Sequence, residues 1–442
     1  MSQRIEAEVF AGRRARLLAQ LPAGSALLLS SAQLQTRNHD VEYPFRQDSN
    51  FYYLTGFDEP DALLLLLPGR EGGEYVLFCQ DRDPEMEIWH GYRTGPEGCR
   101  SRYGADDAWP IDQVDEQMPL LLDGRSRLYY RLGHDQDLDN RVHDWLNAMR
   151  LQARQGIRPP SELVLVDPQL NEMRLFKAPE EQAVMRKAGE LSAEAHVKAM
   201  QACRPGVFEY QLEAVISHHF AMHGCRQSAY PSIVGGGANG CVLHYTNNDQ
   251  PLNDGDLVLI DAGIELDYYA ADITRTFPVN GRFSDEQKAL YELVLKAQQA
   301  CIELCRPGVL WDRVHERSVE VLTDGLIELG ILTGERDELI DSGAYRDFYM
   351  HRIGHWLGLD VHDVGDYKVD GEWRPLQPGM VMTVEPGLYI APDNTRVDAR
   401  WRGIGIRIED NVLITDDGCE LLTDGVPKTV AEIEALMAQA QQ

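Results

Sequence analysis

Short apolar runs separated by polar and turn-forming residues characterise the first part of the chain. Runs at 25–31, 62–67, 74–79, 127–131 and 162–166 have the length of β-strands. The segment 135–154 has the apolar spacing of a helix. This alternation of strands and helices predicts a small α/β domain.

A helix start marks the predicted end of that domain. In the segment 177–181, Pro179 is followed by two glutamates, a pattern typical of the first turn of a helix. We therefore predict an N-terminal domain at 1–176 and a second domain at 177–442.

The second domain contains internal sequence repeats. The sequence Cys-Arg-Pro-Gly-Val occurs at 203–207 and again at 305–309, each time after a long helical pattern. A turn glycine followed by an apolar strand and a carboxylate also occurs twice, ending at Asp261 and at Glu385. Two repeated motifs in the same order predict a duplicated αββ-type unit, and its two copies should fold face to face around one core.

Each half of this repeat offers two carboxylates next to apolar strands. Asp261 ends the strand at 257–260, and Asp272 follows after a turn predicted at 265–269. Glu385 and Glu409 occupy similar places in the second half. Four carboxylates brought together would repel one another unless cations neutralise them, so their pattern predicts a dinuclear metal site.

Histidines accompany these carboxylates. The segment 351–363 contains His351, His355 and His362 among several glycines, and His244 can face the same cleft from the first half. A neutral imidazole completes an oxygen-rich metal site, and further ring nitrogens can polarise a substrate. By contrast, His219 and His223 have the spacing of a zinc-protease motif but lack its glutamate, so we interpret them as structural.

Composition narrows the classes of partner. The 442 residues contain 42 Lys and Arg against 71 Asp and Glu, a net charge of −29. Such an acidic surface disfavours nucleic acid and anionic membranes. The charged N-terminus resembles no secretory signal, and the eight cysteines form no CxxC pair, so we expect a cytoplasmic protein with free thiols.

These motifs together resemble the pita-bread metallopeptidases and, among them, the bacterial aminopeptidase P group. The resemblance spans essentially the whole chain. It is carried by the segments 43–57, 259–263, 271–277, 351–363, 384–387 and 403–410. It implies an α/β (α+β) protein with a small N-terminal α/β domain and a C-terminal pita-bread domain related internally by a pseudo-two-fold axis.

The resemblance also implies the metal ligands and the cofactor. Two divalent metal ions, most often Mn²⁺ in bacterial members, would be bound by Asp261, Asp272, His355, Glu385 and Glu409. Asp272 and Glu409 would bridge the two ions. The four-oxygen, one-nitrogen set suits a hard divalent ion, although cobalt and zinc stay open.

The implied reaction is hydrolysis of the bond between an N-terminal residue and a following proline, by attack of a metal-bridging hydroxide. Glu385 would also shuttle the proton. His244 and His362 would stabilise the intermediate, His351 would line the proline-side pocket, and Arg407 would orient carboxylates. The resemblance gives Asp40 a role at the substrate amine and Tyr389 a role in proton relay.

Bacterial members are tetramers in which an N-domain tryptophan reaches a neighbour's cleft, and Trp89 matches that position. Packing in the core is the alternative for Trp89. One departure is visible: Arg352 stands where prolidases commonly have glycine, which affects the pocket beside His351 but none of the ligands.

Two other functions stay open at this point. A prolidase would share the metal site but cleave Xaa-Pro dipeptides, and the N-terminal segment argues against it. A catalytically inactive pita-bread domain would bind partners instead, and the five intact ligands argue against that.

Overall fold

The chain divides into two compact units. A computed structural model describes residues 5–440. Its units are Ile5–Met173 and 174–440. The two functional domains predicted from the sequence, 1–176 and 177–442, stay a prediction.

The first unit is built around one mixed sheet. Its elements are α1 (Ala7–Leu18), β1 (Ser25–Ser30), β2 (Thr36–Asn38), β3 (Val41–Glu42), α2 (Ser49–Thr55), β4 (Leu63–Leu66), β5 (Tyr75–Cys79), α3 (Pro84–His90), α4 (Gly95–Tyr103), β6 (Asp107–Pro110), α5 (Val114–Leu122), β7 (Arg127–Tyr130), α6 (Gln136–Leu151), β8 (Glu162–Leu165) and α7 (Asp167–Leu175), a helix that continues past Met173.

Six strands of this unit pair in the order β6-β5-β4-β1-β7-β8. All five apolar runs predicted as strands are present: β1, β4, β5 and β7 are central, and β8 lies at one edge of the sheet. Every residue of β4 and β5 is buried. Helix α6 begins directly after its N-cap residue, Asp135. The Asp135 carboxylate accepts hydrogen bonds from the backbone N–H groups of Asp137 and Leu138. The predicted α/β organisation is confirmed.

The second unit contains the longer helices and several small antiparallel sheets. Its elements are α8 (Pro179–Ala202), α9 (Glu209–Met222), β9 (Ile233–Gly236), β10 (Leu257–Asp261), β11 (Glu265–Leu266), β12 (Tyr269–Ala270), β13 (Thr274–Pro278), α10 (Asp285–Ile302), α11 (Trp311–Glu328), α12 (Arg336–Asp341), β14 (Lys368–Val369), β15 (Glu372–Trp373), β16 (Val381–Val384), β17 (Gly387–Ile390), β18 (Ile404–Arg407), β19 (Asp410–Ile414), β20 (Cys419–Leu421) and α13 (Val430–Ala440). No helix among the described residues is both long enough and apolar enough to cross a membrane.

The two Cys-Arg-Pro-Gly-Val segments make the same contacts in both halves. Gly206 N–H donates to the carbonyl of Leu252, and Gly308 N–H donates in the same way to Leu376. Both glycines have positive φ, 88° and 86°, a region that favours glycine. The internal duplication predicted from the sequence is therefore present in the backbone.

Strand register brings the carboxylates of each half together. Strand β10 pairs antiparallel with β13 so that Asp261 lies opposite Thr274, two residues after Asp272. Strand β16 pairs antiparallel with β19 so that Val384 lies opposite Asp410. Glu385 and Glu409 are consequently neighbours at the end of that ladder. The turn between β11 and β12 falls where the sequence predicted it.

A buried ion cluster fixes the irregular segment that carries the histidines. The Asp363 carboxylate accepts from Arg174 at 2.6 Å and from Lys177 at 2.9 Å, and its side chain is fully buried. The two cations hold the pKa of Asp363 below its usual range despite burial. Asp363 N–H also donates to the carbonyl of Trp356. The segment between His355 and His362 is thus fastened at both ends.

Replacing Asp363 should therefore destabilise the second unit. Asp363→Asn leaves two cations buried without their anion, which costs about 3–5 kcal/mol in the free energy of unfolding. Glu420→Gln is the matched control, because Glu420 pairs with Arg186 at the surface and its loss should cost at most about 1 kcal/mol. Urea denaturation monitored by tryptophan fluorescence measures both, and equal midpoints would contradict the assigned role of the cluster.

Candidate metal centre

A cleft in the second unit collects most of the residues that the sequence singled out. Its volume is about 810 Å³. Nine predicted site residues line it: His244, Asp261, Asp272, His351, His355, His362, Glu385, Arg407 and Glu409. These residues come from both halves of the repeat, so the cleft forms only when the two halves are folded together.

His355 stands at the centre of the carboxylates. Its Nε2 lies 3.4 Å from Asp272 Oδ2 and 3.5 Å from Glu385 Oε1. One ligand atom each of Asp272, His355 and Glu409 lie within 4.8 Å of one another. The imidazole and three carboxylates therefore face one small volume.

The tautomer of His355 is set by its backbone contact. Nδ1 lies 3.0 Å from the carbonyl oxygen of Trp356 and can only donate to it. Nε2 is then the nitrogen that faces the carboxylates. A histidine whose outer N–H is held by a carbonyl is the usual arrangement for a metal ligand.

Tyr230 connects the two aspartates of the first half. Its hydroxyl oxygen lies 2.5 Å from Oδ1 of Asp261 and 2.5 Å from Oδ1 of Asp272. A phenol has a single proton and can donate to one of these oxygens only. The second contact needs a proton on one carboxyl group, which shows how strongly the two carboxylates are crowded.

Crowding also displaces the pKa values of the acids. Burial and the neighbouring carboxylates raise the pKa of Asp272, raise that of Glu385 to about 7, and raise that of Glu409 well above its usual range. Burial alone would lower the pKa of His355, but the contacts with Asp272 and Glu385 outweigh it and raise the value to about 9. In the metal-free protein, protons on these groups and the charge of Arg407 offset part of the negative charge of the site.

Side chains around the ligands hold them in place. Thr274 Oγ1 donates to Glu409 Oε2 at 2.6 Å, and Arg407 Nη2 donates to Asp261 Oδ2 at 2.7 Å. Thr383 Oγ1 accepts from the backbone N–H of His355 and donates to Glu385 Oε1 at 3.2 Å. These contacts fix the orientation of Asp261, Glu385 and Glu409.

A second buried cluster supports Glu409 from behind. Asp410 accepts hydrogen bonds from Arg275 at 2.8 Å, from Gln298 at 2.9 Å and from Lys428 at 2.9 Å. Arg275 also donates to the carbonyl oxygens of Thr274 and Glu409. This cluster ties β13 to β19, one strand from each half, directly beneath the ligands.

A hydrogen-bonded chain joins three of the predicted residues. Arg407 Nη1 donates to the Tyr389 hydroxyl at 3.0 Å, and that hydroxyl donates to His351 Nε2 at 2.9 Å. His351 Nδ1 in turn donates to the carbonyl of Arg352 at 2.7 Å. Burial and Arg407 lower the pKa of His351 to about 4, so the ring is neutral. Tyr389 itself is buried behind His351.

The remaining cleft histidines lie beside His355. The ring of His362 packs edge-on against His355 with centroids 4.3 Å apart. Burial and the neighbouring His355 lower the pKa of His362, which keeps the ring neutral near neutral pH. His244 lines the same cleft from the segment between β9 and β10.

Two predicted residues belong to the first unit. Asp40 is exposed in the hairpin between β2 and β3. Trp89 lies on α3 and is 78% exposed, beside the exposed side chains of Ile88 and Tyr92. The alternative that Trp89 packs in the core is therefore wrong.

Comparison with known proteins agrees with this geometry. Residues 183–416 match the model of metallopeptidase family M24, and residues 10–129 match the model of the aminopeptidase P N-terminal domain. The chain belongs to metallopeptidase family M24.

Individual relatives of this M24 chain extend over its full length. It is 48% identical over 439 residues to the Xaa-Pro aminopeptidase of Escherichia coli K12, covering 99% of both chains. A Pseudomonas aeruginosa aminopeptidase, PepP, superposes with a TM-score of 0.98 at 57% identity, covering 99% of each chain. The structure of E. coli aminopeptidase P with the inhibitor Pro-Leu superposes with a TM-score of 0.96 at 48% identity, again covering 99% of each chain. The predicted fold and family are confirmed.

The donor set of this M24 chain fits divalent metal ions. Hard carboxylate oxygens predominate, one imidazole nitrogen with a fixed tautomer completes them, and the acids are crowded enough to need neutralisation.

Sequence reasoning missed several side chains that hold these ligands. Thr274, Thr383 and Asn411 each lie two residues from a predicted ligand, so strand alternation could have placed them on the same face. The Asn411 amide brackets Asp272 by accepting from its N–H and donating to its carbonyl. Tyr230 comes from an irregular segment, and no periodicity marks it.

The crowded acids predict an unusual pH dependence for the metal-free protein. In the folded state the pKa of Glu385 is about 7, whereas the ordinary pKa of a glutamate is 4.5. The folded protein therefore keeps this proton to a higher pH than the unfolded chain does. Stability from this group is present below pH 4.5 and falls as the pH rises through 7. Stability from His355 is present below pH 6.5 and is lost through pH 9. Thermal unfolding of the metal-free protein should therefore occur at lower temperature as the pH rises.

Glu385→Gln provides the control. Glutamine does not titrate, so the decline at the acidic end of this range should become shallower. A decline from His355 should persist, because the contact with Asp272 remains, but it should end at a lower pH without the charge of Glu385. Identical pH profiles for the two metal-free proteins would contradict the assignment of the raised pKa to Glu385.

Proposed function

We propose that this chain is an Xaa-Pro aminopeptidase with two divalent metal ions, Mn²⁺ in the cell, that hydrolyses the bond between an N-terminal residue and a following proline. The observation that carries the proposal is the convergence of four carboxylates and the His355 nitrogen on one cleft. The relatives of known activity, similar over the whole chain, support it.

In this proposal Asp261, Asp272, His355, Glu385 and Glu409 would hold the two ions, and Asp272 and Glu409 would be the ligands shared by both. When bound, the two ions lower the pKa of water at the site and polarise the carbonyl of the scissile bond. The chain must supply everything else: a proton acceptor, groups that stabilise negative charge, and a pocket for proline.

Glu385 is the proposed proton carrier. It faces the cleft beside His355, where a carboxylate can take up and return a proton during hydrolysis. It would accept the proton of the attacking water and return it to the proline nitrogen as the peptide bond breaks. Thr383 keeps its carboxylate oriented for both steps.

Two histidines of the cleft would stabilise the developing charge. His362 stays neutral near neutral pH and, with His244, would donate an N–H to the oxygen of the scissile carbonyl as it becomes negative. His351 would line the proline-side pocket, with its ring fixed by Tyr389 and Arg407. Tyr389 would relay protons through the same chain, and Arg407 would orient Asp261.

The first unit supplies the remaining proposed contacts. Asp40 would bind the substrate amine. Trp89 would enter the cleft of a neighbouring subunit in a homotetramer, and the exposure of Ile88, Trp89 and Tyr92 supports a role in contacts with a partner. A cytoplasmic location is supported by eight free cysteines. Peptides with proline second are the proposed partners, with neither nucleic acid nor membrane involved.

Substrate length tests the proposed activity. The protein is stripped with chelator, reloaded with Mn²⁺ and assayed with Xaa-Pro-Yaa peptides and Xaa-Pro dipeptides. The aminopeptidase should cleave the tripeptides, which its match to the aminopeptidase P N-terminal domain favours. Cleavage confined to the dipeptides would identify a prolidase instead. Inactivity towards both would indicate a binding protein.

Ligand substitutions test the dinuclear arrangement separately. Asp272→Ala and Glu409→Ala each remove a proposed bridge, so both should lose metal and abolish hydrolysis. Glu420→Ala, at an exposed ion pair with Arg186, is the control and should keep both properties. Metal content measured by mass spectrometry alongside kcat/KM gives the answer. Full metal content and activity in either bridge variant would contradict the assignment.

A further inference from the structure

A second cluster of metal-binding side chains lies between helices α8 and α9. It consists of Glu194 on α8, His219 in the last turn of α9, and His223, the residue that follows α9 as its C-cap. One ligand atom of each residue lies within 4.8 Å of the other two. The sequence motif on α9 lacks a glutamate of its own, but the neighbouring helix brings a carboxylate to the same place.

The nitrogens of this cluster point to a ligand. His223 Nδ1 lies 2.9 Å from the carbonyl of His219, within its own helix, so Nδ1 donates and Nε2 carries the lone pair. His219 is 2% exposed, and its Nε2 lies 3.2 Å from Glu194 Oε2. A separation of this size between two ligand atoms suits a tetrahedral zinc ion with bonds of about 2.0–2.2 Å.

We propose that Glu194, His219 and His223 form a surface site for one Zn²⁺ ion, separate from the catalytic cleft. Two imidazoles and one carboxylate are a common zinc ligand set, and solvent supplies the fourth position. Glu194 is 47% exposed and can turn to accommodate the ion. The metal would fasten the C-terminal turn of α9 to the middle of α8.

One neighbouring cation opposes binding. Lys198 Nζ lies 2.7 Å from His219 Nδ1, and as a donor it favours the tautomer with its proton on Nε2. Zinc on Nε2 requires the proton to move to Nδ1 and the ammonium to turn away. The site therefore competes with Lys198, and removal of this cation should tighten zinc binding.

Zinc counting on four variants tests the site. Equilibrium dialysis of the Mn²⁺-loaded protein against Zn²⁺, with both metals measured by mass spectrometry, gives the total bound metal per chain. His223→Ala should bind one equivalent fewer than the native chain. His218→Ala is the matched control, because this exposed histidine on the same helix is outside the cluster, and it should bind the native amount. Glu194→Gln should weaken binding, and Lys198→Met should tighten it.

Amide hydrogen exchange gives a second measurement that does not depend on the catalytic metals. Zinc should slow exchange at the C-terminal turn of α9 in the native chain and in His218→Ala, but not in His223→Ala. Equal metal counts and equal exchange in all three proteins would overturn the proposal and leave a structural ion pair. Loss of hydrolysis in His223→Ala is not expected, so the site can fail this test without affecting the proposed peptidase activity.

Discussion

Repulsion between buried carboxylates is the constraint on which the second unit depends. Asp261, Asp272, Glu385 and Glu409 face one volume, and in the metal-free chain protons must neutralise part of their charge. Burying such a group unpaired would oppose folding. The crowded carboxylates therefore favour the binding of cations, and this is the physical basis of a site for divalent metals.

The surrounding structure keeps the carboxylates together against this repulsion. The two buried anions Asp363 and Asp410 do not face the cleft; each is saturated by cations and fixes a segment that carries ligands. Arg407 binds Asp261, one of the crowded carboxylates. It also donates to the Tyr389 hydroxyl, which in turn is hydrogen-bonded to His351. The internal duplication supplies one pair of acids from each half, and neither half could form the cleft alone.

Much of this arrangement could be predicted from the sequence. Apolar runs located the strands of the first unit, and the repeated turn with Gly206 and Gly308 revealed the duplication, because local patterns determine local structure. The acids could be selected because each lies next to an apolar strand.

The remainder depended on contacts between distant parts of the chain. Tyr230 has no local signal, since its contacts with Asp261 and Asp272 arise from elements brought together by folding. The same limit applies to Glu194, whose position near His219 and His223 cannot be inferred from either helix alone. The sequence left two alternatives for Trp89, a neighbour's cleft or the core, and its exposure became visible only in the fold.

Proton release on metal binding tests the central claim most directly. At about pH 6, Glu385 and His355 hold protons in the metal-free protein, because their pKa values are about 7 and about 9. Calorimetric titration with Mn²⁺ in buffers of different ionisation enthalpy counts the protons that leave as the ligands bind metal. The account predicts release of more than one proton per chain. A binding enthalpy that does not depend on the buffer would mean that no protons leave, and it would contradict the view that crowded, protonated ligands define this site.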